Sequence, residues 1–69
     1  MNNSLNLNKL IYVYDDIVSA SNAFTEFCRI DVKDNNEYWL LNFTDCVTEE
    51  KIIIAEFENY LIDLIGAKQ

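Results

Sequence analysis

The sequence predicts an α+β domain of order βαββα, with a three-stranded sheet carrying two helices on one face. Three observations predict it. Apolar residues alternate with a period of two around Lys9–Tyr14, Ile30–Lys33 and Tyr38–Phe43, which is a strand signal. They recur at helical i, i+3, i+4 spacing over Ile17–Cys28 and Ile53–Ile65. Between the second and third alternating runs stands Asp34-Asn35-Asn36, whose side chains and tolerance of left-handed backbone make a turn.

The totals bound the answer. With 69 residues the chain makes one small domain, and such a chain buries only about 60–65% of its unfolded surface. Half the residues are apolar (51%) and a quarter charged (25%), a globular balance. The formal charge of −7, with 5 Lys and Arg in all, works against nucleic acid or an anionic membrane as partner. No run approaches the roughly 18 apolar residues of a membrane span. The start "MNNSLNLNKL" lacks the basic and apolar blocks of a secretion signal, so a cytoplasmic setting is expected.

The first strand is expected over Lys9–Tyr14. Leu5, Leu7, Ile11 and Val13 share one face, with Lys9 the exception, and Leu10, Tyr12 and Tyr14 share the other. The same alternation allows an extension back to Leu5; otherwise residues 1–8 are flexible. Asp15 is placed to cap the first helix, with Asp16 in its first turn, where the helix dipole favours negative charge. Ile17, Ala20, Ser21, Phe24, Phe27 and Cys28 form its core face, and the helix is expected to reach about Cys28. The small Ala20 and Ser21 should let it lie close to the sheet.

Arg29–Phe43 reads as a hairpin. Its first strand alternates Ile30 and Val32 with Arg29, Asp31 and Lys33. Its second puts Trp39, Leu41 and Phe43 on one face, and Tyr38, Leu40 and Asn42 on the other. Asp45 or Thr48 can cap the last helix, Glu49 and Glu50 lie in its first turn, and Gly66 is expected to end it at C′. The preferred strand order is 1-3-2, with the third strand central and antiparallel to both neighbours. That strand is the most apolar, whereas the charges of the second suit an edge. A mixed sheet, with the first strand parallel beside the second, is the alternative.

The last helix carries more apolar residues than one face needs. Ile53, Ile54, Phe57, Tyr60, Leu61, Leu64 and Ile65 complete a core face. Ile52, Ala55 and Ile62, joined by Asn59, form a narrow stripe on the opposite side. Glu56 and Asp63 fence that stripe on one edge and Glu58 on the other. The sheet raises the same question. With Ile11, Val13, Ile30, Val32, Trp39, Leu41 and Phe43 facing the helices, Leu10, Tyr12, Tyr14, Tyr38 and Leu40 are left facing out. Exposed aromatics are typical of protein contacts, although single exposed isoleucines and tyrosines are also ordinary surface. The candidate partner-binding residues are therefore Leu10, Tyr12, Tyr14, Tyr38 and Leu40 on the sheet, with Ile52, Ala55, Asn59, Ile62 and Asp63 on the helix.

No catalytic constellation is present. Without His, a Ser or Cys nucleophile lacks its usual base. Cys28 and Cys46 are too few for a zinc or iron–sulfur site. In a cytoplasmic chain they read as small buried hydrophobes with no disulfide between them. The glycosylation sequons at Asn2 and Asn42 carry no meaning in that setting. There is no glycine-rich phosphate loop, and no cofactor or metal is expected. The residues point to a non-enzyme.

Three stretches together resemble the His-Xaa-Ser system protein D family. These are "IYVYDDIVSASNAFTEFCRIDV", the hairpin strand "EYWLLNF" and the end "AEFENYLIDLIG". Members of that family have a similar strand, an alanine-containing helix, an "F…C.I.I" step and a closing "EF.N.L.D" helix. Here the closing match falls on Glu56, Phe57, Asn59, Leu61 and Asp63. The resemblance covers about Ile11 to Leu64, mostly through apolar spacing. It implies an accessory protein of peptide maturation, encoded beside radical S-adenosylmethionine enzymes and a short precursor peptide. It brings no catalytic residues, and it marks Asn59 and Asp63 as possible docking positions. The partners it implies are the radical S-adenosylmethionine enzyme or the precursor peptide. The alternative is a self-associating structural or regulatory protein, such as a homodimer, whose spare surfaces meet each other.

Overall fold

The structure is a computed structural model and describes residues 3–68. The chain runs β1 (Ser4–Asn8), α1 (Tyr14–Ala23), β2 (Arg29–Asn35), β3 (Tyr38–Thr44) and α2 (Glu50–Ala67). The three strands lie in the order β1-β3-β2, and both pairings are antiparallel. The expected α+β class, element order and strand order are therefore those of the molecule. The mixed-sheet alternative is not.

The hairpin forms as its residues dictate. Ile30 pairs with Phe43 and Val32 with Leu41, so the apolar positions of both strands share the core face. The chain reverses through Asn36, which adopts φ 57°, the left-handed region that Asn tolerates best after Gly. Phe43, Phe57, Ile17, Leu41 and Leu61 are fully buried. The Phe57 ring packs edge-on against both Phe24 and Phe43, each with centroids 5.4 Å apart. This ties α2 to α1 and to the central strand at one point.

The first strand is not where the alternation placed it. β1 is the allowed extension, Ser4–Asn8, and the expected strand Lys9–Tyr14 is a loop followed by the first residue of α1. Leu5 pairs with Leu41 and Leu7 with Trp39, so Leu7 fills the core position expected for Ile11 and Val13, which are exposed instead. Asn8 ends the strand. Its Oδ1 accepts the Leu10 N–H at 2.8 Å, and its carbonyl accepts the Ile11 and Tyr12 N–H groups. An Asn side chain that mimics a backbone turn pulls the chain out of the ladder.

The helix ends also differ. α1 stops at Ala23, and the chain continues through tight turns in which the Phe24 carbonyl accepts the N–H groups of Phe27 and Cys28. Phe24 and Cys28 are buried as expected, whereas Phe27 is exposed. Val13 and Glu49 occupy the N-cap positions without side-chain capping bonds, so Asp15, Asp45 and Thr48 are not the caps. The buried Asp16 in the first turn of α1 instead pairs with Lys68 beyond the end of α2. Gly66 lies inside α2 with no positive φ, so it is not a C′ glycine.

Cys28 and Cys46 form a disulfide, which corrects the expectation of two free thiols. Register is the reason. Arg29 faces Thr44 at the end of the β2–β3 ladder. Asp45 then takes φ 52°, which turns the chain so that Cys46 comes opposite Cys28.

Candidate partner-binding surfaces

α2 presents the two faces that its spacing implies. Ile53, Phe57 and Leu61 are buried, with Ile54, Leu64 and Ile65 half-buried beside them, while Tyr60 lies at the rim. On the far side Ile52 and Ile62 are 47% and 56% exposed, and Ala55, Asn59 and Asp63 are exposed with them. A helix rises about 1.5 Å per residue, so the stripe from Ile52 to Ile62 is roughly 15 Å long. Among the described residues, Lys9 pairs with Asp34, Arg29 with Asp31 and Lys68 with Asp16. Among the described residues no ion pair forms to Glu56, Glu58 or Asp63, the acids that fence the stripe.

The expected tyrosine face of the sheet does not form. Leu10, Tyr12 and Tyr14 lie outside the strands, leaving Tyr38 and Leu40 as the large apolar side chains of that face. The register sets Leu40 between Asn6 and Lys33, and Tyr38 between Asn8 and Asn35. The open face is therefore mainly polar.

The displaced residues gather in the β1–α1 loop. Leu10 is 94% exposed and Ile11 64%, with Val13 and Tyr14 exposed after them. Tyr12 is half-buried against the core. The loop is held from below by Trp39, whose ring lies 4.4 Å from the Lys9 ammonium and 5.3 Å from the Tyr14 ring centroid. The sequence signal that could have found this loop is Asn8, whose side chain favours a turn before "KLIYVY".

Two concavities accompany these surfaces. One of about 220 Å³ lies beside Leu10 and Tyr38, smaller than the roughly 300 Å³ at which small-molecule sites begin. The other, about 420 Å³, lies between the end of α1 and the start of β2. Asn22, Thr25, Glu26, Arg29, Asp31 and Asp45 line it, and polar and apolar surface share its wall about equally. Among the described residues no group of His, Cys, Asp or Glu is placed to hold a metal ion. With both cysteines joined, neither offers a thiolate in this state. No helix among the described residues is long and apolar enough to cross a membrane.

No protein-family model matches the chain, and no solved structure matches it. It is similar to a holo-[acyl-carrier-protein] synthase of Mycoplasma mobile, with 40% identity over 45 residues. That match takes in 65% of this chain but 42% of the other protein, so the chain corresponds to less than half of that relative's length.

Proposed function

We propose that this chain is a non-catalytic accessory protein that docks on a peptide-modifying enzyme of the radical S-adenosylmethionine class, on its precursor peptide, or on both. The observation that carries this reading is the exposed Ile52–Ile62 stripe fenced by Glu56, Glu58 and Asp63. An apolar centre inside a polar rim is the anatomy of a protein contact. The resemblance to the His-Xaa-Ser system protein D family supplies the setting, and its closing motif falls on this same helix. The test is to mix the purified chain with a radical S-adenosylmethionine enzyme and a precursor peptide of the kind the resemblance implies. Co-elution on size exclusion and a calorimetric signal at tens of micromolar are expected. Absence of any complex at that concentration rejects the reading. Light scattering that finds a stable homodimer using the same stripe would favour the self-associating alternative.

The similarity to a holo-[acyl-carrier-protein] synthase favours a second reading, in which the chain is related to part of such an enzyme. Acyl carrier protein would then be the partner to try first. Binding of acyl carrier protein by this chain, with none to the peptide-modifying enzyme, would establish that reading over the first.

The expected cytoplasmic setting belongs to the first reading. The Cys28–Cys46 bond weighs against it, because disulfides persist in oxidising compartments.

A further inference from the structure

The Cys28–Cys46 bond joins two connections rather than two regular elements. Cys28 ends the turns that follow α1, and Cys46 lies in residues 45–49, between β3 and α2. Little else holds the second connection. Asp45, Val47, Thr48 and Glu49 are exposed. Among the described residues, the backbone bond that ties this segment to the first connection runs from the Val47 N–H to the Phe27 carbonyl, at 2.8 Å. Phe43, Phe57, Ile17, Leu41 and Leu61, the largest fully buried side chains, all come from β3 and the two helices. The centre of the core therefore does not draw on residues 45–49.

Asp45 holds φ 52°, a left-handed conformation that costs a residue with a Cβ more than glycine. Strain of this kind persists where the surroundings enforce it, and it gathers at switch regions. The enforcing bond lies one residue on, at Cys46. The two sulfurs are also unequally placed. Cys28 is 3% exposed and Cys46 is half-buried, so a reductant from solvent meets the Cys46 sulfur. The Thr44 carbonyl oxygen lies 3.3 Å from Cys28 Sγ and 3.9 Å from Cys46 Sγ. It is a ready acceptor for the S–H groups that reduction creates, so the buried Cys28 thiol is not left without a partner.

We propose that the Cys28–Cys46 pair is a reversible redox switch, entered at Cys46, whose reduction releases residues 45–49 while the sheet and helices stay in place. One thiolate of a dithiol reductant attacks Cys46 Sγ. A mixed disulfide forms as the Cys28–Cys46 bond breaks, and the electron pair leaves on Cys28 Sγ, which takes a proton from water. The second thiolate of the reductant then attacks the reductant's own sulfur in the mixed disulfide, and Cys46 leaves with the other pair and is protonated. The dithiol ends as a disulfide and the chain as two thiols. Disulfides of proteins in reducing compartments are mostly transient and redox-sensing, which is the form this pair takes in the expected cytoplasmic setting. The released segment leads into α2, whose first turn has no side-chain cap and carries Ile52. The switch therefore reaches one end of the exposed stripe, but it does not depend on a partner docking there.

The test uses the full chain, isotope-labelled for magnetic resonance, first oxidised and then reduced with dithiothreitol. Backbone order parameters of residues 45–48 should be about 0.85 in the oxidised chain and fall below about 0.6 in the reduced one. Cross-strand contacts of Leu41 with Leu5 and with Val32 should persist in both states. Reoxidation in air should restore the first state, and Cys46→Ser should show the released segment without reductant. Should Cys46→Ser fail to fold, the reduced unmodified chain decides alone. Brief treatment with β-mercaptoethanol, quenched in acid and mapped by mass spectrometry, should place the adduct on Cys46. Two free thiols in chain purified without reductant, an adduct on Cys28, or failure to reoxidise overturns the proposal. So does a reduced chain that loses its cross-strand contacts, which makes the bond a structural staple. A reduced chain in which residues 45–48 stay rigid overturns it as well. Every readout is taken without a partner, so its failure is distinct from failure of the docking reading.

Discussion

Trp39 Nε1 donates a hydrogen bond to the Tyr12 carbonyl oxygen at 3.0 Å. That bond joins the central strand to the loop that alternation alone would make a strand, and the Trp39 ring also meets Lys9 and Tyr14. Trp39→Phe keeps a ring in place but removes the donor. The expected cost is about 1 kcal/mol in urea denaturation, one ordinary hydrogen bond. Amide exchange should accelerate across residues 9–13 while the strands keep their protection. Unchanged exchange in the loop would mean that Trp39 does not hold it.

The disulfide closes a loop with a sequence separation of 18. In the chain-entropy account such a bond stabilises by about 3 kcal/mol. Reduction, or the Cys28→Ala/Cys46→Ala double change, should therefore lower the urea midpoint markedly, a large effect for so small a domain. Trapping cellular protein in acid before alkylation and mass spectrometry shows whether the bond exists where the protein works. A fully alkylated pair would support the cytoplasmic setting.

Ile52→Glu combined with Ile62→Glu separates interface from ordinary surface. Both residues are half-exposed on the back of α2, so each change should cost folding only about 0.5 kcal/mol. At a desolvated contact each unpaired charge costs several kcal/mol, so partner binding should disappear with an unchanged melt. Binding that survives both changes would remove the stripe as the docking surface.

Phe57 is fully buried and touches the rings of both Phe24 and Phe43. Phe57→Ala should cost about 3–5 kcal/mol, comparable with the whole stability of a small domain. Loss of far-UV circular dichroism at room temperature is the expected result. A cooperative melt close to that of the unmodified chain would contradict the placement of this ring at the core.

Gly66 sits within α2, and a Cβ built on it meets nothing within 4 Å. Gly66→Ala should therefore stabilise the chain, by about 0.5–1 kcal/mol, through helix propensity alone. A raised melting temperature with unchanged partner binding checks it.

The hairpin and the two faces of α2 were legible in the sequence because both rest on local physics. Period-two alternation on either side of an Asn-rich turn sets the β2–β3 register, since a one-residue slip would turn Val32 and Leu41 away from the core. The helical spacing of Ile53, Phe57 and Leu61 likewise leaves Ile52 and Ile62 outside whatever lies beneath. The position of β1 was not legible. The alternation runs from Leu5 to Tyr14 with Lys9 as its one break, so either half could have been the strand. The choice fell to pairing with β3 and to Asn8, which leaves the ladder once its side chain and carbonyl capture the next N–H groups. With that shift the supposed tyrosine face dissolved, and Leu10 and Ile11 became a protruding loop. The Cys28–Cys46 bond was hidden for the same reason. Two cysteines 18 positions apart become neighbours only when the β2–β3 register and the left-handed turn at Asp45 are both in place. Periodicity determined which residues share a face. Only long-range pairing decided which segment became the edge strand, and what stands exposed beside it.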